Sequence, residues 1–191
     1  MLKPIATALT AAILLSGCSA LGSPTLRYPV PQVQPSQKVS IRYRTVEVRQ
    51  VSLPEYAGLA EMSIQTAEGA IETDKSLLWA DDPVRAVTLE LSRNLGLITG
   101  ATVASEPWPF DSFADARVEV RVEEMLTDRQ NQFRLSGQYF VASTDGSNVN
   151  RSRLFQLTVP ITGEPGPATT AAARGQIIAD LALIIAKNGL R

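Results

Sequence analysis

The sequence ARVEVRVEEML, residues 116–126, alternates between apolar and charged side chains. Val118, Val120 and Val122 fall on one side of an extended chain, because successive side chains of a strand point to opposite faces. The charged residues between them fall on the other side. The pattern predicts a β-strand with one buried face and one solvated face.

Two further segments continue this pattern. Residues 132–144 and 151–160 also place apolar side chains at every second position, and Asp145-Gly146 between them is a favourable turn pair. Three strands in succession, joined by short links, predict an antiparallel meander.

The sequence before this meander contains shorter strand signals. Residues 39–53 alternate and predict one strand or two short strands that end at Leu53-Pro54. Residues 62–66 and 70–73 predict a hairpin across the intervening Ala-Glu-Gly turn.

A helix is predicted in the segment SLLWADDPVRAVTLELSRNLGLITG. Asp81 or Asp82 is expected to cap it, and Pro83 suits the first helical position because its missing N–H is not needed there. Gly96 or Gly100 is expected to end it.

The polar residues of this helix, Arg85, Glu90 and Arg93, are expected to face outward.

A second helix is predicted in the last segment, TTAAARGQIIADLALIIAKNGLR, with a wide apolar face. A membrane span is the alternative, but Arg174 and Lys187 are among the polar residues that interrupt its apolar run, so we expect a helix docked on the core.

This order of elements predicts a single α/β domain over residues 39–191. We expect a mixed, largely antiparallel sheet covered by two main helices.

The N-terminus, MLKPIATALTAAILLSGC, reads as a signal peptide over residues 1–17, with Lys3 before an apolar stretch of about eleven residues. Its end, Leu15 to Cys18, resembles the lipobox of bacterial lipoproteins, in which the cysteine thiol receives a diacylglycerol. The alternative is an ordinary secretory peptide with a chance cysteine. Cys18 is the only cysteine of the chain, so it has no internal disulfide partner.

Residues 18–38 are predicted to be the lipidated cysteine and a proline-rich, extended tether. Ser19 follows the cysteine. In enterobacterial lipoproteins an aspartate there retains the protein at the inner membrane, so serine favours the outer membrane, facing the periplasm. The inner membrane is the alternative.

Composition argues against catalysis. The chain has no histidine and a net charge of −1, which excludes a Ser-His-Asp triad and a histidine-bound zinc, and gives no basic stripe for nucleic acid. We expect no catalytic residue, no metal and no cofactor, and we expect that the protein is not an enzyme. Asp111 and Asp115 are expected to be solvated turn residues.

Trp79 and Trp108 are candidate binding residues. Each stands beside a junction between elements, where it could line a groove for a partner or an acyl chain. The alternative is that each closes one end of the core.

Together, the lipobox, VRQVSLPEYAG, LLWADDPVRAVTLELSRNL, EPWPF and ARVEVRVEEM resemble the ABC-type transport auxiliary lipoproteins, a PqiC/YmbA-like family of paraquat-inducible intermembrane transport systems. Trp79, Trp108 and Tyr56 match the family pattern and are assigned to structure or docking. The resemblance implies an outer-membrane lipoprotein without enzymatic activity.

The resemblance also implies the partners, an MCE-domain protein and its membrane permease, which move lipids or other hydrophobic molecules. The chain would act as a docking adaptor and could form a ring or other homo-oligomer. The alternative is a periplasmic carrier that holds a lipid in its own cavity.

Overall fold

The computed structural model describes residues 25–191. The predicted class is confirmed: eight strands form one mixed sheet, and two helices cover it. In chain order the elements are β1 (Leu26–Tyr28), β2 (Thr45–Val48), a 3-10 turn (Glu55–Ala57), β3 (Glu61–Gln65), β4 (Ile71–Trp79), α1 (Pro83–Thr99), β5 (Thr102–Ser105), β6 (Ala116–Thr127), β7 (Gln132–Ser143), β8 (Asn150–Pro160) and α2 (Pro167–Asn188). The predicted signal peptide and Cys18 lie outside the described residues.

The long strand β6 organises the sheet. On one side it pairs antiparallel with β7, which pairs antiparallel with β8, so the predicted meander is confirmed. Its other side is divided between two strands. β2 runs parallel to its beginning, with Val46 opposite Ala116, and β3 joins its end, with Ile64 opposite Thr127. β5 extends the sheet beyond β2, and β4 and β1 extend it beyond β3.

The core lies between the helices and one face of the sheet. The buried face predicted for β6 is confirmed, because Val118, Val120 and Val122 are all buried. The buried helical residues packed in the same cluster are Val87, Leu91, Leu95 and Ile98 of α1 and Ile177, Ile178, Leu181 and Ile185 of α2. Among residues 25–191, both α-helices lie on this face.

The predicted ends of α1 are confirmed. The Asp82 carboxylate accepts a hydrogen bond of 2.8 Å from the backbone N–H of Arg85, which satisfies one of the N–H groups left free in the first helical turn. Asp81 instead pairs with the guanidinium of Arg85. Gly100 follows the helix in the left-handed conformation, with φ of 71°, which glycine adopts without a steric penalty.

The helix α2 is long and apolar enough to cross a membrane, by length and composition. Its residues nevertheless pack on the sheet and on α1, and Ile177, Leu181 and Ile185 are fully buried. The expectation of a core-docked helix is confirmed.

The predicted tether is shorter than expected. Leu26–Tyr28 forms β1 and pairs parallel with the end of β4. The chain then runs over α2, where a Cβ on Gly175 would come within 2.9 Å of the Pro31 carbonyl oxygen. Farther along, Lys187 Nζ donates to Gln37 Oε1 over 2.7 Å. The prolines hold an extended chain, as expected, but this chain packs against the domain rather than leaving it.

The predicted strands differ from the structure in two other segments. Within residues 39–53 only Thr45–Val48 is a strand, and Ser52 forms an isolated bridge with Arg121. The strand β5, Thr102–Ser105, was not predicted. It is four residues long and obtains its pairing from β2, far away in the sequence, so its own alternation is too short to indicate a strand.

Candidate functional site

The three predicted binding residues lie in three separate places. Trp79 ends β4 and is buried, whereas Trp108 lies in the connection between β5 and β6 and is partly exposed. Tyr56 lies in the 3-10 turn and is also partly exposed. The structure therefore offers two separate candidate surfaces, one at each tryptophan.

The first surface is the connection between β5 and β6, residues 106–115, here called the aromatic loop. The indole N–H of Trp108 donates to the Ser112 carbonyl oxygen over 2.7 Å. The Trp108 ring is 5.0 Å from that of Phe110, in a tilted arrangement typical of aromatic pairs. Trp108 thus stabilises the loop from within.

Two phenylalanines of the aromatic loop face solvent. Phe113 is 89% exposed and Phe110 is 52% exposed. Contact of large aromatic rings with water is unfavourable by roughly 25 cal/mol per Å² of apolar area, and such groups are enriched where proteins dock. The aromatic loop is therefore a candidate docking surface that the sequence indicated only at Trp108.

Polar contacts fix both ends of the aromatic loop. Asp115, expected to be a solvated turn residue, accepts hydrogen bonds of 2.9 Å and 3.0 Å from the backbone N–H groups of Arg44 and Thr45. At the other end Glu106 pairs with Arg49 over 2.9 Å. The expectation for Asp115 was wrong because the carboxylate satisfies backbone donors at the start of β2.

The aromatic loop lies on the sheet face opposite the helices. Glu47 points to that face, since Val46 and Val48 on either side of it are buried in the core. Glu47 is buried and pairs with Arg117 over 2.6 Å, and both residues line a cleft of about 200 Å³ beneath the loop. The ion pair compensates the charge of the buried carboxylate.

The second surface, here called the Arg174 cleft, has a volume of about 280 Å³. One wall is the chain at residues 28–32, and another is the face of α1 that carries Leu89, Glu90 and Arg93. Trp79 and Arg174 also line the cleft. The guanidinium carbon of Arg174 stands 4.5 Å from the centre of the Trp79 ring, a favourable cation–π arrangement.

A buried ion pair connects the two helices in the Arg174 cleft. Arg174 Nη2 donates to Glu90 Oε1 over 2.9 Å, and the Arg174 side chain is only 1% exposed. Burial raises the pKa of Glu90, although Arg174 opposes this effect. Burial also lowers the pKa of Arg174, with Glu90 opposing. The expectation that Glu90 faces outward was wrong, because Arg174 from the other helix holds it in the cleft.

The raised pKa of Glu90 predicts a pH dependence of stability. At a pH between the ordinary pKa of 4.5 and the higher pKa of the folded state, the Glu90 carboxyl is protonated to a greater extent in the folded protein than in the unfolded chain. This contribution is complete below pH 4.5 and is lost as pH rises through the folded-state pKa. We expect the wild type to lose stability over that window relative to the variant Glu90→Gln/Arg174→Met, in urea unfolding from pH 4 upward. A constant difference between the two proteins would contradict this assignment.

Tyr56 makes contacts within the domain. Its hydroxyl oxygen accepts a hydrogen bond of 3.2 Å from the backbone N–H of Met125 in β6, and burial raises the pKa of its phenol. A neutral phenol at that position supports β6 where it approaches β3. A role of Tyr56 in docking stays a prediction.

The acidic pair at the start of α1 has partners within the domain. Within residues 25–191, no group of three or more aspartate, glutamate, histidine or cysteine side chains could hold a metal ion. Asp81 and Asp82, the acidic pair considered in the sequence, are engaged by Arg85 and by the start of α1.

Residues 25–186 match the protein family described as ABC-type transport auxiliary lipoprotein component. The chain belongs to this family. The resemblance to PqiC/YmbA-like proteins is thereby confirmed, and the chain is placed among the membrane-anchored lipoproteins of ABC-type transport. A comparison with curated protein sequences gave no match.

Solved structures share the auxiliary-lipoprotein fold. A Xanthomonas campestris protein of family DUF330 has a TM-score of 0.69 at 14% identity, over 86% of this chain and 94% of that one. The crystal structure of an uncharacterized protein has a TM-score of 0.68 at 19% identity, over 85% of this chain and 98% of that one. Both likenesses concern the fold.

Proposed function

We propose that this auxiliary lipoprotein is a docking adaptor. It would connect an MCE-domain protein and its membrane permease with the outer membrane, in an intermembrane system that moves lipids or other hydrophobic molecules. Family membership supports the transport context. The observation that carries the adaptor role is the aromatic loop, because Phe110 and Phe113 are exposed on a loop fixed at both ends.

The anchor of the adaptor would be Cys18, with its acyl chains in the outer membrane. The length of chain available supports close attachment. The domain begins at β1, and residues 19–25 can span at most about 3.3–3.6 Å each, on the order of 25 Å. The folded domain would therefore stay near the membrane surface and present its docking loop to a partner that reaches across the periplasm.

An adaptor role agrees with the expectation that the protein is not an enzyme. That expectation rests on the lack of histidine and on the assignment of the one cysteine as the lipidation site. The alternative is a lipid carrier. The cleft of about 480 Å³ between α1 and residues 105–107 is lined by polar and charged residues as well as by Leu89 and Pro107. Carriers enclose most of a ligand in an apolar pocket of roughly 300–1,000 Å³.

The double variant Phe110→Ala/Phe113→Ala tests the docking surface. We expect the MCE-domain protein recovered with the tagged full chain from detergent-solubilised envelopes to fall by about tenfold or more, because buried aromatic anchors dominate the energy of protein interfaces. Thermal stability should change by less than about 1 kcal/mol, since exposed side chains contribute little to folding. Mass spectrometry of the recovered proteins is the measurement.

Leu154→Ala provides the matched control. Leu154 is 75% exposed but lies on β8, away from the aromatic loop, so recovery of the partner should remain at the wild-type level. If the wild type and the Phe110→Ala/Phe113→Ala variant recovered equal amounts of the MCE-domain protein, docking through this loop would be contradicted. Recovery of a stoichiometric lipid without any MCE-domain protein would favour the carrier.

A further inference from the structure

The Arg174 cleft contains a charged group that its own neighbours do not fully satisfy. Nε and Nη1 of Arg174 have no hydrogen-bond acceptor among the described residues, and only Nη2 contacts Glu90. A buried guanidinium with unpaired N–H groups is unfavourable, because those donors have given up water without a replacement. The free donors belong to a side chain that lines the cleft.

The charges facing the Arg174 cleft favour an anion. Arg174 and Arg93 line it as cations, and Glu90 compensates one of them. Asp81 also borders the cleft, but its carboxylate pairs with Arg85. A guanidinium binds planar or tetrahedral oxyanions well because its N–H groups are fixed in one plane.

The remaining lining of the Arg174 cleft is mostly apolar, with Gln32 as a polar member. Its apolar members include the buried Trp79, Val30 and the exposed Leu89. A ligand that suits both parts has an anionic head and an apolar portion. The volume of about 280 Å³ lies just below the range of roughly 300–1,000 Å³ for small-molecule sites, which fits a head group with one short apolar segment.

We propose that the Arg174 cleft binds the carboxylate or phosphate head of an amphiphile, with the head on Arg174 and the apolar portion between residues 28–32 and Leu89. A free fatty acid and an anionic phospholipid share this chemistry. The proposal is independent of docking through the aromatic loop, because none of the residues of that loop lines this cleft.

The test uses the fluorescence of Trp79. The chain has two tryptophans, so Trp108→Phe in the full chain leaves Trp79 as the single reporter inside the cleft. Decanoate, dihexanoyl phosphatidylglycerol, decanol and inorganic phosphate are titrated in dodecyl maltoside. We expect saturable changes with decanoate or with the phosphatidylglycerol, and none with decanol. Response to decanoate assigns a fatty acid, and response to the phosphatidylglycerol alone assigns a phospholipid.

Two variants connect the signal to the cleft. Glu90→Gln/Arg174→Met should weaken binding by about tenfold to a hundredfold, the range for losing hydrogen bonds from a charged group. Leu89→Glu places a carboxylate at an exposed position of the cleft, where folding is not at risk, and should also weaken binding about tenfold. Leu154→Glu makes the same charge change on β8 and should leave binding unchanged.

Four results would overturn the proposal. The first is no saturable signal from decanoate or the phosphatidylglycerol up to millimolar concentration. The second is equal binding of decanol, which would show that charge is irrelevant. The third is competition by inorganic phosphate as strong as that of the amphiphiles, which would indicate a simple anion site. Unchanged binding in folded Leu89→Glu protein would likewise exclude this cleft.

Discussion

Replacing Gly137 by alanine is expected to destabilise the domain by more than about 3 kcal/mol, the range of backbone and packing conflicts in a core. Gly137 lies in β7 opposite a bulge, where the pairing of β6 shifts between Val122 and Glu124. A Cβ at this position would collide with the Arg121 carbonyl oxygen and would come within 2.9 Å of the Val122 Cα. These contacts are backbone atoms of the central strand, so no side chain can move to relieve them.

Urea unfolding followed by circular dichroism measures this effect. Gly96→Ala is the matched control, since the nearest atom to a Cβ at Gly96 in α1 would be 3.8 Å away. That change should stabilise the protein by about 0.5–1 kcal/mol, because alanine favours a helix more than glycine does. If Gly137→Ala unfolded at the wild-type urea concentration, the close approach of β6 and β7 at the bulge would be disproved.

The bulge also shows how much of a fold one sequence can predict. The alternation of Val118, Val120 and Val122 predicted the strand and its buried face, because the period of two is a local property. Nothing local indicated that Glu123 would be the extra residue, or that Gly137 would be the place where two backbones approach closely. The contact depends on the register between two strands, which alternation alone does not specify.

Helix ends were predictable for the same local reason. Asp82 and Pro83 stand next to each other in the sequence, and the structure uses them as a cap and a first residue. The short strands β1 and β5 were not predicted, because each has three or four residues and is held by a distant partner. Prolines beside β1 suggested a free tether, although an extended chain can equally add to a sheet edge.

The candidate sites depended even more on contacts that are distant in sequence. The sequence pointed to Trp108, but in the structure the Trp108 side chain stabilises the loop from within. The exposed side chains of the loop are Phe110 and Phe113. Exposure of an aromatic residue in a loop has no periodic signal. Arg174 was noticed only as an interruption of an apolar helix. A lone arginine within an apolar helical face was the signal that a buried partner existed, and its identity, Glu90, lies 84 residues away.

The variant Glu90→Gln is expected to destabilise the protein by about 3 kcal/mol or more, because it leaves the guanidinium of Arg174 buried without an opposite charge. Arg174→Met should cost less. Glu90 has a side chain that is 18% exposed, compared with 1% for Arg174, so water reaches the carboxylate once its partner is removed. The methionine loses the cation–π contact with Trp79, which contributes about 0.5–2 kcal/mol.

Combining Glu90→Gln with Arg174→Met should restore stability to within about 1 kcal/mol of the wild type, since replacing a whole buried ion pair is often neutral. A double-mutant cycle in urea therefore gives a large coupling energy and a fixed order of stability: the double variant above Arg174→Met, and Arg174→Met above Glu90→Gln. Additive losses would mean that the two side chains do not depend on each other. The reverse order of the single variants would place the buried, water-excluded charge on Glu90 rather than on Arg174.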